Sequence, residues 1–152
     1  MSARVFESPL ELLDAVGAEL GPSPWHQVTQ EAIDQFADAT GDHQWIHVDA
    51  ARAAAGPFGA TVAHGYMTLA LLPLLVRQVY EVRGVRMAVN YGLERVRFPA
   101  PVRSGSRVQA AVTLLAVERV GDAVQVNGRA TVSVEDESKP ACVAETVSRF
   151  YM

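Results

Sequence analysis

The 152-residue chain predicts an α+β domain in which a long, very apolar helix is wrapped by a strongly curved antiparallel sheet. Three observations carry this. The first half alternates helix caps, 3.6-residue apolar spacing and Gly/Pro breaks. The stretch from His64 to Tyr80 is apolar on nearly every side, and such a helix needs cover on every side. From residue 86 onward the apolar residues recur every second position, the period of strands with one buried face. Helices first and strands afterwards point to α+β, and the curved sheet is the available cover.

Ser8-Pro9-Leu10-Glu11 reads as a capping box with proline at the first helical position, which predicts a helix from Pro9 to Leu20 with a stripe of Leu10, Leu13, Val16 and Leu20. Gly21-Pro22-Ser23-Pro24 breaks it, and Trp25–Val28 is a short strand. Thr29 caps a second helix carrying Ile33, Phe36 and Ala37, which Gly41 ends. The segment TGDHQWIHVD (40–49) then reads as a loop. Asp49 caps a short helix over 50–55, followed by a turn at Gly56-Pro57-Phe58-Gly59. Within the apolar stretch, Pro73 removes a backbone donor and predicts a kink. Residues 86–98, 108–115, 124–134 and 141–150 read as strands, with a hairpin turn at Gly121-Asp122.

Length and composition suit one soluble domain spanning 1–152: 49% hydrophobic, 20% charged, net charge −4. Lys139 is the only lysine and the arginines are scattered, so neither nucleic acid nor an anionic membrane is an expected partner. The longest apolar run, MTLALLPLLV, has ten residues, against about 20 for a bilayer span. The N-terminus lacks a basic region followed by an apolar run, and the single cysteine, Cys142, permits no intramolecular disulfide. Both fit a cytoplasmic location. Cys142 reads as a small core residue on the last strand.

Three motifs carry a family resemblance. They are Gly41-Asp42-x-x-x-Ile46-His47-x-Asp49, then Phe58-Gly59-x-x-Val62-Ala63-His64-Gly65, then Val96-Arg97-Phe98-x-x-Pro101-Val102-x-x-Gly105. In order and spacing they resemble the MaoC-like dehydratases, which include the (R)-specific enoyl-CoA hydratases. The likeness runs from about residue 29 to the end, and GDHQWIHVD further resembles a NodN-like, single-domain R-hydratase subgroup. The resemblance implies a hotdog fold, a homodimer joined edge to edge, an acyl-CoA substrate and no metal or redox cofactor.

It also implies that Asp42 and His47 are the catalytic acid/base pair. A carboxylate and an imidazole can hold one water between them, one removing its proton while the other delivers a proton to C2 of a trans-2-enoyl thioester. Histidine suits this because it titrates near working pH. From Asp-x4-His alone, a helix or turn cap at Asp42 and a local carbonyl contact at His47 are the better explanation of the pair; the other motifs in register turn the reading to catalysis. A metal reading would draw on His43, His47, Asp49 and His64, but no HExxH motif or cysteine partner accompanies them.

Gly65 matches the family's oxyanion donor: the first N–H groups of a helix lack internal partners and favour negative charge, and glycine admits close approach. Tight packing is the duller explanation of the same glycine. His64 is expected to orient neighbours or bond a carbonyl, not to act as a base.

Gln44-Trp45 departs from the family's usual Asn-Pro. Gln44 keeps an amide for orienting water or loop, while Trp45 either walls the acyl pocket or packs on the second helix. Some R-hydratases carry a serine in the buried helix; here Thr68 is the available hydroxyl. Asn90 either bonds substrate or is an ordinary strand asparagine. Arg97 either meets CoA phosphates or pairs with Glu94 or Glu118. A hotdog thioesterase and a non-catalytic acyl-thioester-binding accessory protein are the competing functions.

Overall fold

The computed structural model describes residues 2–152. A curved antiparallel sheet holds a kinked helix in its concavity. The strands are β1 (Arg4–Phe6), β2 (Glu19–Leu20), β3 (His26–Gln27), β4 (Tyr80–Val82), β5 (Met87–Arg97), β6 (Arg107–Val120), β7 (Ala123–Val134) and β8 (Cys142–Tyr151). Sheet order is β2-β6-β7-β8-β5, with β3 also on β6, and β1 pairs β4 in a separate parallel ribbon. The helices are α1 (Gln30–Thr40), α2 (Trp45–Val48), α3 (Ala50–Ala54), α4 (Gly65–Ala70) and α5 (Leu72–Val76).

The period-two pattern lands as expected. Val108, Ala110, Val112 and Leu114 of β6 face inward with Val124, Val126, Ala130 and Val132 of β7. The β6–β7 hairpin turns on Gly121-Asp122, where Gly121 takes φ 61°, the left-handed region such two-residue turns require. Register shifts at Leu114/Ala116 of β6 and at two places along β5 bend the sheet, as bulges do.

The N-terminal helix is shorter and tighter than its pattern suggested. Pro9–Asp14 forms a 3-10 helix, and Glu19–Leu20 is already strand. Three residues per turn put Pro9, Leu12 and Ala15 inward, while Leu10, Leu13 and Val16 stay exposed. The Ser8 hydroxyl accepts from the Leu10 N–H at 3.2 Å, but Glu11 reaches back to the Glu7 N–H. Gly17, at φ 90°, turns the chain into β2.

The apolar helix also departs from expectation. It ends at Val76, Tyr80 lies in β4, and Leu71 separates α4 from α5. Pro73 has no N–H for the Leu69 carbonyl and disfavours helix at the residue before it; the Leu71 N–H is shared between the Met67 and Thr68 carbonyls. Nor is it buried all round: Tyr66, Ala70, Pro73 and Arg77 form an exposed face, with Tyr66 74% exposed. One curved sheet covers the inward face only, so the isolated chain leaves the outward face open. The segment 40–49, expected as loop, contains α2. No helix among the described residues is long and apolar enough to cross a membrane.

Candidate active site

Two caps place the Asp42–His47 segment. The Thr29 hydroxyl accepts from the Ala32 N–H at 3.2 Å to start α1. Gly41, at φ 81°, ends it, its N–H donating to the Ala37 carbonyl. The chain leaves the helix at Asp42 and re-enters one turn of helix at Trp45. The carboxylate of Asp49 then caps α3, accepting from the Arg52 N–H at 3.0 Å.

The α2 turn is laced to residues 61–64. The Val62 N–H donates to the Ile46 carbonyl at 2.9 Å. Gln30 donates its amide to the His47 carbonyl at 2.8 Å and accepts from the buried Thr61 hydroxyl. The His47 ring is 7% exposed, with Nδ1 2.7 Å from the Val62 carbonyl. A carbonyl can only accept, so Nδ1 carries the proton and Nε2 is left as an acceptor.

Asp42, His47 and His64 converge: one carboxylate oxygen and one nitrogen from each ring all lie within 4.8 Å of one another. That separation suits a single water accepting or donating at about 2.8 Å on each side. Asp42 is exposed in the isolated chain, and its carboxylate accepts a long hydrogen bond, 3.4 Å, from the Gln44 N–H. His64 stacks on His47 at 3.8 Å and 22° between planes.

The same cluster is a poor metal chelate as arranged. Imidazole binds a cation in its ring plane at about 2.1 Å. Stacked, nearly parallel rings direct their lone pairs side by side, so no ion lies in both planes at that distance. The other two residues of the metal reading stand apart: Asp49 is a helix cap, and His43 pairs with Asp38 at 2.9 Å on the surface. That hydrogen bond raises the His43 pKa.

Gly65 opens α4 directly after His64. The Thr68 N–H is the first of this turn to close on a backbone carbonyl, that of His64 at 3.1 Å, so the Gly65 N–H has no intrahelical acceptor. A Cβ at Gly65 would sit 2.9 Å from the Phe98 ring. The Thr68 hydroxyl is buried and turned back to the His64 carbonyl.

Asn90 lies elsewhere. It lines an apolar cavity of about 690 Å³ between α4–α5 and strands β5, β7 and β8. Leu69, one turn beyond Gly65, is part of its lining, with Leu72, Val76, Val126 and Val147. Trp45 does not line this cavity. Its ring is held between the Arg52 guanidinium, 4.3 Å from its centroid, and the Gly56 backbone. Gln44 is exposed and touches Asp42 through its backbone. Arg97 donates to its neighbour's carbonyl, that of Val96, and pairs with neither Glu94 nor Glu118. Gln30, Thr61 and Phe36, which support the site, carry no sequence signal beyond ordinary helix and loop positions.

Known proteins share the sequence and the fold of this chain. The sequence profile of the MaoC like domain covers residues 11–137. The 3-hydroxyacyl-thioester dehydratase Z of Mycobacterium tuberculosis is 59% identical over 97% of this chain and 98% of its own. Nodulation protein N of Rhizobium leguminosarum bv. viciae is 45% identical over 88% of this chain and 84% of its own. Among solved structures, a MaoC-like dehydratase from Rhodospirillum rubrum superposes with TM-score 0.75 at 26% identity, over 93% of this chain and 95% of that one. An (R)-hydratase from A. caviae shares the fold with TM-score 0.68 at 22% identity, over 88% and 94%. With the profile spanning most of the chain and the helix-in-sheet fold shared, the chain belongs to the MaoC-like dehydratase family.

Proposed function

We propose that the chain catalyses the reversible syn hydration of trans-2-enoyl-CoA to (R)-3-hydroxyacyl-CoA, with Asp42 and His47 as the acid/base pair. The supporting observation is the convergence of the Asp42 carboxylate and the His47 imidazole within 4.8 Å. His47 is pre-set as an acceptor by its Nδ1–H bond to Val62. The water oxygen forms the bond to C3 while one of the pair takes its proton. The C2–C3 π electrons move toward C2 and the thioester, and C2 receives the proton carried by the other partner, so with His47 Nε2 taking the water proton it is Asp42 that enters the turn as the carboxylic acid. Proton return between the two groups completes the cycle, and the same steps reversed dehydrate the hydroxyacyl thioester. The Gly65 N–H is the donor for the thioester oxygen as it gains charge. The apolar cavity beyond Leu69 takes the acyl tail, with Asn90 on its wall. Gln44 holds the Asp42 loop. The reaction uses no metal or redox cofactor.

A homodimer fits the same reading. Strand β5 is an edge strand of 11 residues with Met87, Tyr91 and Leu93 exposed, beside the exposed Tyr66 face of α4. A long apolar edge calls for cover, and a second copy supplies it.

The test is loss of the conjugated enoyl absorbance of crotonyl-CoA and longer homologues, with chiral analysis of the product. Asp42→Asn and His47→Gln should each lower kcat by at least about 10²-fold, the scale of general acid–base catalysis, without loss of fold. Near-parent turnover in either variant, or an (S)-product, defeats the assignment. Thiol release without hydration indicates a thioesterase, and tight acyl-CoA binding without turnover an accessory binder.

A further inference from the structure

His64 is a buried titratable side chain that the hydration chemistry does not consume. It is 2% exposed. Its ring lies between Phe36 of α1, at 4.9 Å and 54°, and His47 of α2, at 3.8 Å and 22°. Its Nε2 is 2.9 Å from the backbone carbonyl of Asp42. That carbonyl can only accept, so Nε2 carries the proton. Nδ1 is buried with no partner among the described residues.

The two members of the proposed acid/base pair are anchored unequally. His47 is held through its ring on Val62, its carbonyl on Gln30 and its place in α2. Asp42 lies outside regular structure just past a left-handed glycine, and its carboxylate makes one long bond, to the Gln44 N–H. The His64 contact, spanning 22 residues, is what ties the Asp42 backbone to the body of the site. The same ring stacks on His47, so one side chain sets the distance between both groups.

We propose that His64 is a positioning residue that, as the neutral Nε2–H tautomer, tethers the Asp42 backbone while its ring, stacked on His47, holds the pair in register. The groups facing His64 fit this state. Phe36 and Thr68 carry no charge. A second proton on His64 would create a buried, unpartnered N–H at Nδ1 and a cation stacked on His47. The charged group facing the two rings is the Asp42 carboxylate, and of the two rings His47 is the one whose Nε2 is not taken up by the backbone. The inference rests on the hydratase reading for its catalytic consequence, not for the tautomer or the tether.

Two substitutions separate the two contacts. His64→Phe keeps a ring between Phe36 and His47 and loses the donor. His64→Gln keeps a donor at similar reach and loses the ring. A displacement of about 1 Å in a reacting group costs up to about 10²-fold. The expected result for His64→Phe is therefore a kcat loss of about 10-fold or more with KM within about 3-fold, and partial rescue in His64→Gln. In His64→Phe the Asp42–Gln44 backbone amides should show lower NMR order than in the parent at an unchanged urea midpoint. Parent-like kcat in His64→Phe, a loss confined to KM, or a loss that merely tracks the unfolded fraction overturns the proposal. Imidazole ¹⁵N shifts of the unmutated protein test the tautomer without any variant. A bare Nδ1 and protonated Nε2 at the pH of the activity assay support it, and an Nδ1–H form overturns it. If the parent does not hydrate enoyl thioesters, the hydratase reading fails, while the amide-order and tautomer measurements still decide the tether.

Discussion

Substituting alanine at Gly65 separates backbone approach from packing. Gly65 has no positive φ, so alanine meets no backbone strain there. Its Cβ would lie 2.9 Å from Cδ2, 3.1 Å from Cε2 and 3.1 Å from Cγ of Phe98. Carbon contacts relax near 3.5–4.0 Å, so the ring must retreat by about 0.5–1 Å. Phe98 is 41% exposed and meets Tyr66 only edge-on, so it has solvent to retreat into. Overpacking costs about 1–3 kcal/mol, and Gly65→Ala should fall at the low end, about 1 kcal/mol by urea denaturation. Activity should fall much further. The methyl group stands beside the N–H that is to meet the thioester oxygen, and loss of such a donor is worth about 10²–10³ in kcat. Phe98→Ala removes the ring, so Gly65→Ala/Phe98→Ala should cancel most of the alanine's stability cost yet leave kcat/KM low. Gly65→Ala within about 3-fold of the parent, or a double variant as active as Phe98→Ala alone, would refute the oxyanion role.

Further outcomes follow from the packing. Burial pushes the Cys142 thiol up to about 11 and the Tyr80 hydroxyl up to about 12, so iodoacetamide should label Cys142 only on unfolding. Each acid ionises first in the unfolded chain, so its stabilisation is full below its ordinary value, about 9 for Cys142 and about 10 for Tyr80, and is lost as pH rises to the raised one, by at most about 1.4 kcal/mol per pH unit; urea midpoints at pH 8, 9 and 10 check the sign, and Cys142→Ala should flatten the fall. Gly41→Ala forces a side chain into φ 81° and should cost about 1–2 kcal/mol, with a larger proportional loss of activity because Asp42 follows directly. Leu75→Ala, at a position 0% exposed, should cost about 2–5 kcal/mol by denaturation. Leu93→Lys on the β5 edge should shift the protein toward monomer in size-exclusion chromatography with light scattering; an unchanged dimer would move the interface elsewhere.

Much of the site was legible because it is local. Thr29, Gly41 and Asp49 act through hydrogen bonds spanning a few residues, and each took its expected place. The β6–β7 alternation was equally local: a one-residue slip would turn every valine outward. The Pro9 helix misled because apolar residues at 10, 13 and 16 and at 9, 12 and 15 recur at the same three-residue spacing on two different faces. The sheet, through the β2 pairing with β6, selected the second. Trp45 was open between pocket wall and packing on the second helix, and its ring instead lies against Arg52 and Gly56 of the following segment. Cys142 read correctly as core, since a small residue on an inward strand position has one place to go.

By itself the sequence determined that helices precede the long strands, the inward face of β6 and β7, the kink at Pro73 and the family, because these follow from periods, caps and motifs written along the chain. Only the tertiary structure decided what lies across from what. It brought Asp42, His47 and His64 within one water's span, and put the proton of His47 on Nδ1 by facing it with the Val62 carbonyl. It assigned Asn90 to the apolar cavity and left one face of the apolar helix open. The His47–Val62 and His64–Asp42 contacts span 15 and 22 positions, set by how the elements close on each other, and no local pattern encodes that distance.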